Sequence, residues 1–222
     1  MNVFNIIGPV MIGPSSSHTA GAVRLGRVAH KVMNGKTPVE VKIELSGSFA
    51  RTFRGHGTDR ALLAGIMGYH SDAVEIRDAL NIAKERGLHY TFIPHDIPGA
   101  HPNTARIHFR LDDGSEGVVM GASVGGGNIR IDEIDGLQVN FTGDNTAMLV
   151  VHDDVPGVIA NVTNLLRDRY ASLNICNFNL TRSERGGTAL MTLEFDQDPP
   201  EELKNDVSTL EHVRSVSVFR AF

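Results

Sequence analysis

The stretch MLVVHDDVPGVIANVTNLL, from Met148 to Leu166, decides the fold of the C-terminal third of the chain. The apolar residues at its start predict a short buried strand, and Pro156 in the following turn ends that strand. From Val158 to about Tyr170, apolar residues recur at the spacing of one face of an α-helix. The stretch therefore predicts a strand that enters a helix through a tight turn.

The residues that follow predict a small two-layer domain. We expect strands at 175–181, 188–195 and 213–219, and a second helix over 201–210. The resulting order, βαββαβ, is that of a ferredoxin-like sandwich. The glycine content drops after the polar stretch 142–145, because 20 of the 23 glycines precede residue 146. We therefore expect two domains, 1–145 and 146–222.

This C-terminal region resembles an ACT domain, a small-molecule-sensing module attached to enzymes of amino-acid metabolism. The resemblance rests on the element order and on the turn DDVPGVI at 153–159. It implies self-association through this domain and an effector site for a small amino acid at Asp154, Pro156, Gly157 and Val158. The alternative is that Gly157 only relieves a tight turn. Cys176 falls on an apolar strand, so we expect a buried, inert thiol.

The N-terminal region predicts an α+β domain, because its strands and helices are mixed without strict βαβ alternation. Apolar and charged residues alternate over 39–45, which indicates a half-buried strand. A second alternating run, 105–111, turns through Asp112-Asp113-Gly114 into 118–122 and predicts a hairpin. Helices are expected at 22–33, where Asn34-Gly35 ends the apolar pattern, and at 71–87.

Composition excludes several classes of protein. The net charge of -5 and the lack of a Lys/Arg block disfavour nucleic-acid binding, and no apolar run approaches the roughly 20 residues of a membrane-spanning helix. The N-terminal MNVFNIIGPVMIG lacks the basic region and cleavage site of a signal peptide. One cysteine cannot form an internal disulfide or hold an iron–sulfur cluster, so the cytoplasm is the expected compartment.

The first of four unusual loops is GPSSSHTAG at 13–21, directly before a predicted helix. Its hydroxyls and free N–H groups at a helix N-terminus predict a site for a carboxylate or phosphate. Helix capping is the alternative, although one Ser or Thr would suffice for that. A Ser–His nucleophile pair is disfavoured, because adjacent side chains at a helix start seldom face each other.

Three further loops combine small residues with polar groups. The second loop comprises SGSF at 46–49 and GHGTDR at 55–60. The third is HPNT at 101–104, and the fourth is GGGN at 125–128. Glycines beside His56 allow a ligand to approach the backbone closely, and His101, Asn103 and Thr104 can all hydrogen-bond a polar substrate. Each loop could also be a simple turn. No spacing such as H-E-x-x-H supports a metal site, and we expect no metal ligand in this chain.

In order and spacing, these loops resemble the β part of iron–sulfur-dependent bacterial L-serine dehydratase. The resemblance implies conversion of L-serine to pyruvate and ammonia, a separate α subunit that ligates a [4Fe-4S] cluster, and no pyridoxal phosphate. It also relates the first domain to the anion-binding regulatory domain of some 3-phosphoglycerate dehydrogenases.

On this basis, we expect His18 and His56 to line the catalytic pocket, one of them as acid or base. The expected substrate-binding residues are Ser15, Ser16, Ser17, Thr19, Thr58, Asp59, His101, Asn103 and Thr104. The alternative is a non-catalytic regulatory protein that senses anions and amino acids, although such a sensor has little use for an aspartate near a carboxylate site.

Overall fold

The computed structural model describes residues 11–221 and divides into two compact units, Met1–Asp135 and Gly136–Phe222. The predicted domain boundary lies at 145/146. The strand between the two positions, Leu137–Phe141, contacts strands of the second unit. Most of the segment for which no signal peptide is expected, residues 1–10, lies outside the described residues.

Over residues 11–135, the first unit contains four α-helices and five strands. The helices are α1 (Ala22–Val32), α2 (Gly47–Thr52), α3 (Thr58–Ile66) and α4 (Ala79–Glu85). The strands are β1 (Glu40–Leu45), β2 (His89–Pro94), β3 (Thr104–Arg110), β4 (Glu116–Gly125) and β5 (Asn128–Ile134), in the sheet order β2-β1-β3-β4-β5. Strands β1 and β2 are parallel, and the other neighbours are antiparallel. The α+β expectation, the first strand and the hairpin are confirmed.

Alternation along β1 separates the two faces of this sheet. Val41, Ile43 and Leu45 are almost fully buried, whereas Glu40 and Lys42 are exposed. In β3, Ile107 pairs with Ile43 and is equally buried. Helix α1 contacts β3, β4 and β5 and lies against α3, so one face of the sheet carries the core.

The start of α1 differs from the expected loop. Residues Ser16–Gly21 form a π-helical segment that continues directly into α1, and the N-cap is Ser15. Residues 46–49 also differ, because Gly47 begins the short helix α2. The helix expected at 71–87 is shorter, a 3₁₀ segment at Val74–Asp78 followed by α4. The polar motifs therefore sit largely on helical turns.

The second unit contains β6 (Leu137–Phe141) and a four-stranded antiparallel sheet with two helices. Its elements are β7 (Thr146–Asp153), α5 (Val158–Arg169), β8 (Ile175–Arg182), β9 (Thr188–Phe195), α6 (Glu202–Ser208) and β10 (Val213–Phe219). The sheet order β10-β7-β9-β8 confirms the expected βαββαβ arrangement. Met148, Val150, Val162 and Leu193 form the centre of its core. Within residues 11–221, no helix combines the length and apolar character of a bilayer-spanning segment.

The expectation that Cys176 is buried is wrong. The residue is exposed on β8, the edge strand of the sheet, at a register shift between Ile175 and Asn177. An edge strand has a neighbour on one side only, so a run of apolar residues there does not guarantee burial. Partial desolvation, and then the Asp196 carboxylate, raise the pKa of this thiol.

Candidate active site

His18 is the centre of the candidate site and joins the first two loops. The Ser15 Oγ accepts a hydrogen bond from the His18 N–H at 3.3 Å and lies 3.4 Å from His18 Nδ1. On the other side of the ring, Nε2 lies 3.1 Å from Ser48 Oγ on α2. The hydroxyl that faces His18 thus belongs to Ser15, one helical turn away, rather than to the adjacent Ser17.

Two aromatic contacts fix the plane of the His18 ring. The ring of His56 meets it edge-on, with a centroid distance of 4.7 Å and an interplanar angle of 90°, and Phe49 lies 5.2 Å away at 62°. His18 is buried, whereas His56 is exposed. The two expected catalytic histidines are therefore neighbours that differ in access to solvent.

The surroundings of His18 favour its neutral form. Burial lowers the pKa of this imidazole, and the nearby His56 lowers it further. A neutral imidazole has one unprotonated nitrogen, which can accept a proton as a general base must.

The third loop contacts helix α2. The N–H of Phe49 donates to the Pro102 carbonyl at 3.2 Å, and Gly47, at φ +59°, lies so close that a Cβ would be 2.6 Å from Pro102 Cα. Within the loop, the Asn103 N–H donates to His101 Nδ1 at 3.2 Å. Glycine at position 47 is thus required both by the backbone angle and by close packing.

Several buried polar atoms in these loops have no hydrogen-bond partner within the described residues. They are the hydroxyls of Thr19, Thr58 and Thr104 and the amide oxygen of Asn103; Ser123 Oγ on β4, Arg106 Nε and His152 Nε2 are unpaired outside the loops. Leaving a buried polar group unpaired costs about 1–3 kcal/mol, and such groups are uncommon in folded proteins. Their concentration in the motif loops is typical of a site shaped for function rather than for stability.

Thr58 and Asp59, which belong to the second loop motif, form the first turn of α3. The N-cap is Gly57, at φ +71°, and neither Thr58 nor Asp59 caps the helix with its side chain. Asp59 Oδ1 accepts a hydrogen bond from the Arg60 N–H at 2.8 Å. Burial raises the pKa of the Asp59 carboxyl, and the hydrogen bond and charge of Arg60 partly oppose this effect.

The fourth loop lies against α1 rather than beside His18. Gly125, Gly126 and Gly127 all have positive φ, and Arg24 Nη1 donates to the Gly127 carbonyl at 2.8 Å. No described contact joins this loop to His18 or His56. The structure thus brings three of the four loops together around α2 and the start of α1.

A cavity of about 260 Å³ adjoins this cluster. Its walls include Gly13, Pro14, His56 and Gly57, together with three arginines, Arg54, Arg60 and Arg77. A second cavity, of about 470 Å³, is lined by β1, β3 and β4, by Asp135 and by no predicted site residue.

Ser48, Ser123 and these arginines were not predicted as site residues. Ser48 and Arg60 lie inside the sequence motifs, and Arg54 directly precedes one, so their positions in the sequence could have indicated them. Arg77 lies in no motif and had no such signal.

The residues of this chain do not fit an iron–sulfur cluster. Cys176 is the only cysteine, and it belongs to the second unit. Across the described part of the chain, no group of three or more His, Cys, Asp or Glu side chains is arranged to hold a metal ion. A cluster bound only by this chain would lack the thiolates that such clusters use.

The expected effector turn lies at the start of α5. Gly157, at φ +95°, is the N-cap, Val158 is buried, and Pro156 is exposed. Asp154 Oδ2 accepts hydrogen bonds from the Gly186 N–H at 2.9 Å and from Arg182 at 2.8 Å. These two contacts lower the pKa of Asp154 and tie the turn to the β8–β9 connection.

Comparison with known proteins gives consistent results. Residues 2–92 match the sequence profile of the family described as Serine dehydratase beta chain. A Bacillus subtilis protein, "Probable L-serine dehydratase, beta chain", is 41% identical over 97% of this chain and 96% of its own length. The "L-serine dehydratase, beta chain" of Peptoniphilus asaccharolyticus is 37% identical over 95% and 94%. A Bacillus subtilis D-3-phosphoglycerate dehydrogenase is 27% identical over 89% of this chain and 37% of its own length.

Proposed function

This chain belongs to the family of serine dehydratase β chains, and we propose that it is the β subunit of an L-serine dehydratase, an L-serine ammonia-lyase. The observation that carries the proposal is the 41% identity to a β chain over nearly the whole of both proteins. The buried His18, which lies between two hydroxyls and beside His56, supports the proposal because it provides groups suited to proton transfer.

The reaction removes the α-proton and the β-hydroxyl of L-serine, which leaves together with a proton as water. The resulting enamine takes up a proton at the former β-carbon to become an imine, which water hydrolyses to pyruvate and ammonia. No pyridoxal phosphate takes part in this proposal.

We assign a [4Fe-4S] cluster to a separate α subunit, because the thiolates that it needs are missing here. The active site then lies where the two chains meet, and this chain supplies part of its lining.

Within this chain, His18 and His56 are the candidates for moving protons. His18 is neutral near pH 7 and can accept a proton, and the exposed His56 ring beside it can face the substrate. Ser15 and Ser48 hold the His18 ring. The remaining proposed contacts to the substrate are Ser16, Ser17, Thr19, Thr58, Asp59, His101, Asn103 and Thr104.

A second candidate function is regulation without catalysis. The similarity to D-3-phosphoglycerate dehydrogenases favours it, because it extends over 89% of this chain and only 37% of one such enzyme. In this alternative, the loops bind an anion and the chain takes no part in the chemistry.

The second unit is proposed to be an ACT domain with a small amino acid as effector at Asp154, Pro156, Gly157 and Val158. We also propose that this unit mediates self-association. Edge strand β8 carries Phe178 and Leu180, which are 41% and 37% exposed. A monomeric mass of the purified chain in light scattering would contradict self-association.

The single cysteine suits a reducing compartment, and we place the protein in the cytoplasm.

The experiment that separates the two functions is reconstitution. The α partner, this chain, and both together are prepared anaerobically, and pyruvate formation from L-serine is measured for each. Our proposal predicts activity only when both chains are present. Full activity of the α partner alone would leave regulation as the function of this chain.

The same assay tests the site. Ser16→Ala, His18→Ala and His56→Ala should each lower kcat/KM, by about 10- to 100-fold for loss of one charge-assisted hydrogen bond. His89→Ala on β2 is the matched control, since His89 is exposed and outside the described contacts of the site. Unchanged kcat/KM in all three site variants would refute the assignment.

A further inference from the structure

We propose that Arg54, Arg60 and Arg77 form the anchor for the substrate carboxylate, in the cavity beside His56. This inference rests on the proposed function and adds to it the groups that neutralise the charge of L-serine. The hydroxyls of the first loop would then orient the substrate.

Arginines from two separate segments line the cavity. Arg54 and Arg60 flank the turn between α2 and α3, and Arg77 comes from the 3₁₀ segment before α4. The third wall is the chain around Gly13 and Pro14, immediately before the serines of the first loop. At about 260 Å³, the space lies below the roughly 300–1,000 Å³ of drug-sized pockets and suits a small ligand.

The three arginines lack carboxylate partners within the described residues. Among residues 11–221, no salt bridge involves Arg54, Arg60 or Arg77. Other arginines, such as Arg110, Arg182 and Arg214, each pair with an aspartate or a glutamate. Three positive charges around one small space repel one another, and an anion in that space removes the repulsion.

The charges of Arg60 and Arg54 act on the Asp59 carboxyl, but within the described residues no salt bridge joins Asp59 to either guanidinium. Its Oδ1 is bound by the Arg60 backbone N–H rather than by a guanidinium. The residue is only 8% exposed, and burial raises the pKa of its carboxyl. Asp59 is not among the residues that line the cavity, and the described lining contains no carboxylate.

Guanidinium groups are suited to this ligand, because their paired N–H donors match the two oxygens of a carboxylate. The Arg54 guanidinium lies over the Phe53 ring, 5.4 Å from its centroid, which restricts its motion. A carboxylate held here places the rest of a short amino acid near His56, which lines the same cavity and touches His18. The geometry links the anchor directly to the proton-transfer residues.

The test uses the reconstituted two-chain enzyme with Arg54→Gln and Arg77→Gln. Each should lower kcat/KM for L-serine by about 10- to 100-fold, mainly through a higher KM. Arg51→Gln is the matched control, because Arg51 is an exposed arginine on α2 outside the cavity. Inhibition by 3-hydroxypropanoate, which has the carboxylate but no ammonium, should weaken in the two variants. Inhibition by ethanolamine, which has no carboxylate, should not change.

Unchanged KM and unchanged 3-hydroxypropanoate inhibition in both variants would overturn the anchor and leave the proposed function standing. If the wild-type pair makes no pyruvate, the proposed function fails separately. The anchor is then tested by calorimetric titration of the full chain with L-serine and with inorganic phosphate. Binding of L-serine that is lost in Arg77→Gln supports the anchor. Binding of phosphate alone, or of neither, overturns it.

Discussion

Replacing Gly65 with alanine tests how helix packing positions the active site. Gly65 on α3 faces Gly26 on α1 where the two helices cross. A Cβ at position 65 would lie 2.1 Å from the Val23 carbonyl oxygen and 2.9 Å from the Arg27 backbone nitrogen. Ordinary contacts begin at 3.4 Å, and backbone atoms cannot rotate away. The helices would have to separate locally by about 1 Å to admit the methyl group.

The cost follows from two opposing effects. Overpacking typically destabilises a protein by about 1–3 kcal/mol, and alanine regains up to about 1 kcal/mol of helix propensity over glycine. We therefore expect a net loss of about 1–2 kcal/mol in the free energy of unfolding. The N-terminal ends of these helices carry the His18 segment and Thr58, so the same separation disturbs the 4.7 Å contact between His18 and His56. A misplacement of this size can lower kcat/KM by up to about 100-fold.

Urea unfolding of the purified chain, followed by far-UV circular dichroism, measures the stability change, and pyruvate formation with the α partner measures activity. Gly55→Ala is the stability control. Gly55 does not have positive φ, and its added Cβ would meet only the Thr52 carbonyl, at 3.8 Å. Gly65→Ala with wild-type stability and wild-type kcat/KM would refute the packing argument.

Three further predictions concern the site. Thr58→Val should keep or raise the urea midpoint, because the described residues offer Thr58 Oγ1 no hydrogen-bond partner. The same change should lower kcat/KM, and a lower midpoint with full activity contradicts this. Ser48→Ala should lower kcat/KM by about 2- to 10-fold through the lost bond to His18, with recovery in Ser48→Thr, and no effect would show that Ser48 does not position the ring.

The third prediction follows from the lowered pKa of His18. As the pH decreases through 6.5, the unfolded chain takes up a proton that folded His18 does not. The free energy of unfolding therefore decreases as the pH decreases. His18→Gln should flatten this part of the Tm profile between pH 7 and 5, and an unchanged profile contradicts it.

The sequence was most informative where burial follows simple alternation. Val41, Ile43 and Leu45 predicted β1 because their period matches the pleat, and the sheet buries all three. The βαββαβ order of the second unit was predictable for the same reason. In contrast, α2 was missed, because Gly47 and Ser48 have the local character of a loop. Tertiary contacts stabilise this helix, through the buried Phe49 and its bond to the Pro102 carbonyl.

The site was predictable as a set of motifs but not as a geometry. Periodicity does not show that Ser15 faces His18, because that contact depends on the π-helical turn at Ser16–Gly21. Arg77 carries no local signal, since it reaches the cavity only through the packing of the 3₁₀ segment against α3. Cys176 was misplaced because edge-strand exposure is a property of the sheet order rather than of the strand itself.

The most direct test of the account is the rate of pyruvate formation by the two-chain enzyme when His18 of this chain is changed. His18→Gln should lower kcat/KM for L-serine by about 100-fold, the lower end of what a general acid or base contributes, and His89→Gln should have no effect. Equal rates for the two variants and the wild-type enzyme would contradict the claim that this chain supplies part of the active site.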